Sequence, residues 1–372
     1  MDEDLTYLPP DGMCDYLFYD SLYAAKNSEL TVEFRKLRPG LQHFIQQASN
    51  YSKTMFGVSF SPYTTLVNGP DNTTFFKGID NLWGYGVSHF GFLGVFGFIE
   101  QPEVVKEALT TLKAIHDHLR TKMSSSRPSY YVYGKAYDYV VNDTELNLMK
   151  TIFTPSMFIS IAHIFYPSHD VLVCRIMPLA MGSLPPNLKR GTDYSFGHTV
   201  NESLTVLRRI EKLGINIPTA ISFTFRGVYF LPNFTNPSKR RPEDFMMFSK
   251  CKFFYELPYF DDPNKLCGNP NWTSVPPQLA YSIKLRRTIT YLTMSTIATM
   301  ACDAKQFHLN LDFGLVAYDV DADRAPPCKE LGFNTQLGIY GRVLKMRELM
   351  DFLRAKYKKR SDNSVCKRMF AT

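Results

Sequence analysis

Tryptophan occurs twice in 372 residues, which argues against a long polysaccharide cleft floored by a row of indole rings. No run approaches the roughly 20 consecutive apolar residues of a membrane span. The seven cysteines, Cys14, Cys174, Cys251, Cys267, Cys302, Cys328 and Cys366, show no C-x-x-C or Cys/His metal spacing. A metal site is therefore not expected, and a few disulfides with one cysteine left over is the plain reading. A glycine-rich phosphate loop with lysine is missing, Ser59 and Ser195 lack the glycines of a nucleophile elbow, and His116 and His118 fall on different helix faces. These absences leave no cofactor implied. Net charge is +7, yet Lys and Arg gather only in the last stretch, RAKYKKRSDNSVCKRMFAT. That stretch reads as a solvated, frayed terminus, and no nucleic-acid partner is expected. The opening MDEDLTYLPPDG is too acidic and polar for a secretory signal, although a mature chain would also begin this way.

What the sequence does have is apolar and aromatic mass: 45% hydrophobic and 14% aromatic residues, with 29 Phe and 22 Tyr. That much burial can offset chain entropy, so the chain folds. It also has six Asn-x-Ser/Thr acceptor sites, Asn50, Asn72, Asn142, Asn201, Asn233 and Asn271, among 18 asparagines. Chance gives roughly two or three. The excess points to the secretory pathway and an extracellular glycoprotein. Cys251 and Cys267 close a loop rich in Pro, Asn and Asp and are the first expected disulfide.

Short apolar runs alternate with longer amphipathic ones. The expected strands cover 14–23, 53–61, 89–98, 157–166, 171–181, 219–230 and 307–321. Expected helices run from Pro102 through Val105, Leu109, Leu112, Ile115 and Leu119, over 200–213 before Gly214, over 280–301, and over 343–353. Strands this apolar, alternating with helices, argue a parallel sheet covered by helices. The count favours a closed (β/α)8 TIM barrel, residues 1–358 as one domain, followed by a basic tail at 359–372. Residues 231–278 break the rhythm with proline, cysteine and two acceptor asparagines, and read as an insertion between the seventh and eighth strands.

The order of the motifs resembles the family 18 glycoside hydrolases, the chitinases and chitinase-like proteins, along most of the chain. MCDYLFYDSLY resembles their first strand, KTMFGVSFS the strand after the first helix, LGINIPTAISFTFRGVYF their seventh, and GLVAYDVDAD, Gly314 to Asp323, their last. The resemblance implies a fourth strand reading asp-gly-x-asp-x-asp-x-glu, whose glutamate protonates the glycosidic oxygen while the aspartate before it holds the acetamido group. Laid on that motif, FGFLGVFG puts Phe90, Leu93, Val95 and Gly97 at the four acidic positions. None can transfer a proton. A shifted register places Glu100 at the glutamate, with Leu93, Phe96 and Phe98 as partners; otherwise Glu100 is an exposed acid in a helix's first turn. IMPLAMG offers Met177, Leu179 and Ala180 where the family reads met-x-tyr-asp, and Tyr318 replaces the tryptophan that floors a sugar subsite.

Candidate ligand contacts at expected strand ends are Asp20, His163, Arg226, Tyr229, Tyr318 and Asp319, with His169 and Asp321 beside them. Each has a structural alternative: a turn carboxylate pairing with Arg324 for Asp319 and Asp321, a hydrogen-bonded interior histidine for His163, and neutralisation of Asp20 for Arg226. Three functions follow. The first is a secreted, non-catalytic chitinase-like pseudoenzyme whose barrel binds a glycan or another protein. The second is an active glycoside hydrolase using Glu100 with a relocated carboxylate. The third is a structural glycoprotein with a plugged barrel and no sugar binding.

Overall fold

The computed structural model describes residues 8–20, 34–60, 73–96, 102–136, 143–163, 174–186, 188, 199–234, 241–252, 260–261, 266, 268–323 and 339–370. The chain divides into two compact units, residues 1–160 with 206–220 and residues 161–205 with 221–372. Gly97, Glu100, Asn72, Asn142, Cys267, Cys328, His169, Ser195 and Arg324 lie outside the described residues.

In the first unit, β1 (Tyr16–Tyr19), β2 (Met55–Ser59), β3 (Val87–Phe96), β4 (Tyr131–Ala136) and β5 (Met157–Ser160) pair in parallel and in chain order. Between them run α1 (Pro39–Ala48), α2 (Thr73–Gly84), α3 (Pro102–Leu119) and α4 (Asp143–Thr151). Helix α3 begins at Pro102 and buries Val105, Leu109, Leu112, Ile115 and Leu119, the stripe read from their spacing. Asp11 ties the entry to β2: its carboxylate accepts the backbone N–H groups of Ser52, Lys53 and Thr54. Those bonds favour the ionised form and hold its carboxyl well below the ordinary range.

Helix α5 (Val200–Lys212) precedes β6 (Thr219–Thr224), and β12 (Gly314–Tyr318) completes a seven-stranded sheet of order β1-β2-β3-β4-β5-β6-β12. This is the helix-alternating parallel sheet of a TIM-barrel-like fold. The expected strand over 171–181 is not a strand in its described part, which makes only isolated bridges such as Arg175 to Lys250 and Met181 to Thr199. β4, by contrast, escaped the sequence reading. Gly134 and Lys135 interrupt its apolar run, yet all six residues are buried.

The insertion is a second sheet in the second unit. β7 (Gly227–Phe230), β8 (Phe260–Asp261), β9 (Thr273–Val275), β10 (Leu279–Ser282) and β11 (Arg287–Thr290) form antiparallel pairs in the order β8-β7-β11-β10-β9. It therefore outruns the expected 231–278 at both ends. The expected helix from 280 is replaced by the β10–β11 hairpin. Helix α6 (Met294–Phe307) starts only after Thr293, whose hydroxyl caps it by accepting the Thr296 N–H at 3.2 Å. Helices α7 (Gly341–Ala355) and α8 (Asn363–Met369) follow.

The cysteines pair differently from expectation. Cys251 is bonded to Cys174, with Cα atoms 4.9 Å apart, rather than to Cys267. The backbone bond from Cys251 N–H to the Cys174 carbonyl brings the two together across 77 residues. A second disulfide joins Cys302 of α6 to Cys366 of α8. The stretch expected to fray is thus folded at 363–369 and covalently anchored, with Cys366 fully buried.

Candidate functional site

β3 holds the residues laid on the acidic motif, but it is the third strand of the sheet, whereas the resemblance implies that motif on the fourth, the place that β4 takes. Phe90 and Phe92 lie on one face of β3 and meet Phe60 at 6.4 and 5.8 Å, while Phe60 meets Phe75 of α2 at 5.9 Å. Phe90 is therefore fully buried in the layer between sheet and helix. Leu93, three residues on, is 7% exposed, and its N–H donates to the buried Ser59 hydroxyl at 2.9 Å. The pairing with β4 slips between Phe92 and Val95, and Val95 then stands opposite Lys135. Gly91 is dictated by close approach, because a Cβ there would sit 2.7 Å from the Val132 carbonyl oxygen.

Two polar groups near this strand were not singled out from sequence. Lys135 forms an ion pair with Glu145 of α4, and both are nearly inaccessible. The signal was a lysine inside an apolar run that had not been read as a strand. His89 is 1% exposed, packed between Tyr16 and Tyr130 at 5.5 and 5.2 Å, and its Nδ1 accepts the Tyr130 N–H at 3.0 Å. The ring proton is thereby placed on Nε2, which has no hydrogen-bond partner among the described residues. Burial pushes the His89 pKa down to about 4, so the ring is neutral at pH 7.

In the second unit, the turn after β12 gathers most of the expected polar candidates. Asp319 adopts a left-handed conformation, φ 54° and ψ 43°, and starts a short 3-10 turn over Val320–Ala322. Its carboxylate accepts the Thr224 hydroxyl at 2.6 Å and pairs with Arg226 Nε at 3.1 Å. The same guanidinium reaches Asp321 at 3.3 Å. Below them Asp323 and Arg342 form a buried pair: Asp323 accepts Arg342 Nε at 2.8 Å and the backbone N–H groups of Arg342 and Val343 at 2.9 and 3.1 Å. The other guanidinium nitrogens donate to the Leu292 and Ala322 carbonyls, and the plane lies 4.5 Å over the Phe225 ring. Sequence reasoning missed this pair because its partners are 19 residues apart on different elements.

Tyr318 is 6% exposed and its ring packs against His163 at 4.8 Å. His163 is fully buried, with Nδ1 2.7 Å from the Ser222 hydroxyl. Tyr229 belongs to the insertion sheet instead, against Trp272 at 5.7 Å and under the Arg287 guanidinium at 6.0 Å. Asp20 is exposed just after β1 in the first unit. The structure thus brings His163 to Tyr318 and Arg226 to Asp319, and sets Tyr229 apart from both pairs.

Among the described residues no group of three His, Cys, Asp or Glu could hold a metal ion, and no helix is long and apolar enough to cross a membrane. The four described acceptor asparagines, Asn50, Asn201, Asn233 and Asn271, are all exposed.

No family model matches the sequence, and no curated protein does either. Solved structures do. Catalytic domain 2 of a Group II chitinase from Ostrinia furnacalis superposes with TM-score 0.59 at 10% identity, over 91% of this chain and 89% of that one. A class V chitinase from Nicotiana tobaccum gives 0.58 at 11%, over 91% and 93%. Human YKL-39, described as a pseudo-chitinase with retained chitooligosaccharide binding, gives 0.57 at 12%, over 90% and 98%. The chain spans about half, 52%, of the length of the chitinase ChiA74 from Bacillus thuringiensis, at TM-score 0.57 and 10% identity. Such identities speak to architecture: the chain has the fold of the family 18 chitinases and chitinase-like proteins.

Proposed function

We propose that this chain is a secreted, non-catalytic chitinase-like glycoprotein in which the barrel serves as an interaction scaffold. The observation that carries the reading is the chemistry of β3. From Val87 to Phe98 the sequence holds no Asp or Glu, Phe90 and Leu93 are buried, and β4, the fourth strand of the sheet, has no acid from Tyr131 to Ala136 either. Glycosidic cleavage needs a neutral acid next to a charge-steering carboxylate. The carboxylates of Asp319 and Asp321 support the same reading, since Arg226 pairs with both.

Sugar binding at the strand ends around Tyr318 is the second reading, favoured by the YKL-39 likeness. Against it, Tyr318 is covered by His163, so its ring offers little face for stacking on a pyranose, and unsatisfied sugar hydroxyls cost about 1 to 3 kcal/mol each. We therefore expect weak or no chitooligosaccharide binding, with the outer loops and the insertion as partner surface. The exposed acceptor asparagines and the two disulfides support passage through the secretory pathway.

The deciding assay is hydrolysis of chitin oligosaccharides or their fluorogenic analogues, with none expected. Turnover that survives purification and disappears in Glu100→Gln would overturn the proposal. Loss of mass on glycosidase treatment tests the secretory assignment, and a fully reduced, unglycosylated protein from the native source would sink it.

A further inference from the structure

The β10–β11 hairpin ends in the segment Ser282-Ile283-Lys284-Leu285-Arg286-Arg287, and its tip has a composition that the fold does not require. The base of the hairpin is well fixed. Leu279 pairs with Thr290 and Ala280 with Ile289, Ala280 and Ile289 join a buried cluster with Leu266 and Tyr291, and the Thr288 hydroxyl donates to the Phe245 carbonyl at 3.0 Å. The tip is held too. The Leu285 N–H donates to the buried Ser282 hydroxyl at 3.1 Å, and Arg286 takes a left-handed conformation, φ 56°. On this rigid support Ile283 and Leu285 are 40% and 44% exposed. Lys284, Arg286 and Arg287 are exposed beside them.

No carboxylate among the described residues pairs with this charge, and Arg287 lies 6.0 Å over the Tyr229 ring. Between Asp262 and Asp303 the sequence contains no acidic residue, and among the described residues no ion pair reaches Lys284, Arg286 or Arg287. Single exposed aliphatics are ordinary on a protein surface. Two of them interleaved with three cations at the apex of a stiff hairpin are a different matter, because the cations draw the tip to an anionic surface and the aliphatics gain only if that surface has an apolar interior. We infer that the 283–287 tip is a docking site for a lipid bilayer with anionic headgroups, Ile283 and Leu285 entering between the headgroups while Lys284, Arg286 and Arg287 pair with phosphates or carboxylates. A sulfated polysaccharide would satisfy the cations and leave the aliphatics in water, so the bilayer is the better match.

This inference deepens the scaffold reading by naming a partner for the insertion, and it is tested apart from it. The intact glycosylated chain is sedimented with vesicles of phosphatidylcholine alone and with phosphatidylcholine and phosphatidylserine at about 3:1. The expected result is pelleting with the mixed vesicles, weakening as salt is raised, and little with the neutral ones. Ile283→Ser/Leu285→Ser is expected to reduce partition by roughly tenfold through lost apolar burial, and Lys284→Glu by about five- to tenfold through lost attraction. Unchanged melting of both variants, whose substituted side chains are exposed, confirms intact folding. No pelleting with mixed vesicles, or equal pelleting of wild type and the serine variant, overturns the inference. So does retention on immobilised heparin that is lost in Lys284→Glu, unaffected in the serine variant and unaccompanied by vesicle binding, which identifies a polysaccharide instead. Chitin hydrolysis would reject the scaffold and leave vesicle binding to be judged on its own.

Discussion

β3, on which the acidic motif was laid, and the turn after β12 manage polarity in opposite ways. Along β3 the carboxylates are absent, and packing has taken over: Phe90 and Phe92 against Phe60, Leu93 buried, Gly91 pressed to the β4 backbone. After β12 the carboxylates remain, but cations of the chain itself hold them, Arg226 with Asp319 and Asp321, Arg342 with Asp323. One region is thus apolar by composition, and in the other the carboxylates are satisfied by cations of the same chain.

Experiments that break the buried charge should show the largest effect. Arg342→Met leaves the buried Asp323 carboxylate with its two backbone N–H bonds but no counter-ion, and a loss of about 3–5 kcal/mol in urea unfolding is expected. Arg342→Met with Asp323→Leu should recover much of that. A single substitution costing less than about 1 kcal/mol would show that water reaches the pair and that the turn is weaker than its geometry implies.

The contrast sharpens under acid. His89 on β3 has a folded pKa of about 4 against an ordinary 6.5. Between those values the unfolded state binds the extra proton, so stability falls as pH drops from 6.5 to about 4 and is not lost further below that. The shift corresponds to about 3 kcal/mol. His89→Phe should flatten this limb of a stability-against-pH curve while leaving the Tyr130 N–H without its acceptor, and an unchanged limb would assign the acid sensitivity elsewhere.

Gly91→Ala tests the packed side of the comparison. Its Cβ would meet backbone rather than a yielding side chain, and about 1–3 kcal/mol of destabilisation is expected. A neutral result would mean that β3 and β4 can separate without cost. Smallest is Arg226→Ala, because the guanidinium is 36% exposed and both partners are partly solvated. A change of about 1 kcal/mol or less is expected at ordinary salt. A larger one would make this pair part of the core rather than its rim.

Local pattern carried a good part of the fold. The Pro102 helix, the run ending at Gly214, the strands at β2, β3, β6 and β12, and the existence of an insertion were all readable, because period and punctuation lie within one element. The same logic failed where a short apolar run is ambiguous. The helix expected over 280–301 covers residues that pair as strands, Leu279 with Thr290 through Ser282 with Arg287. β4 was passed over because Gly134 and Lys135 look like a loop until Glu145 is seen to satisfy the lysine.

By itself the sequence determined that β3 carries no acid, that the acceptor asparagines exceed chance, and that the hairpin tip is basic and aliphatic, for these are statements about which side chains exist. Only the tertiary structure decided which groups meet. Cys251 chose Cys174 over the nearer Cys267, Asp323 found Arg342, and His163 covered Tyr318. Partners of this kind are separated by tens of residues, and the hydrophobic burial that brings them together is non-directional. Their pairing follows from the packed geometry, which no short stretch of the chain contains.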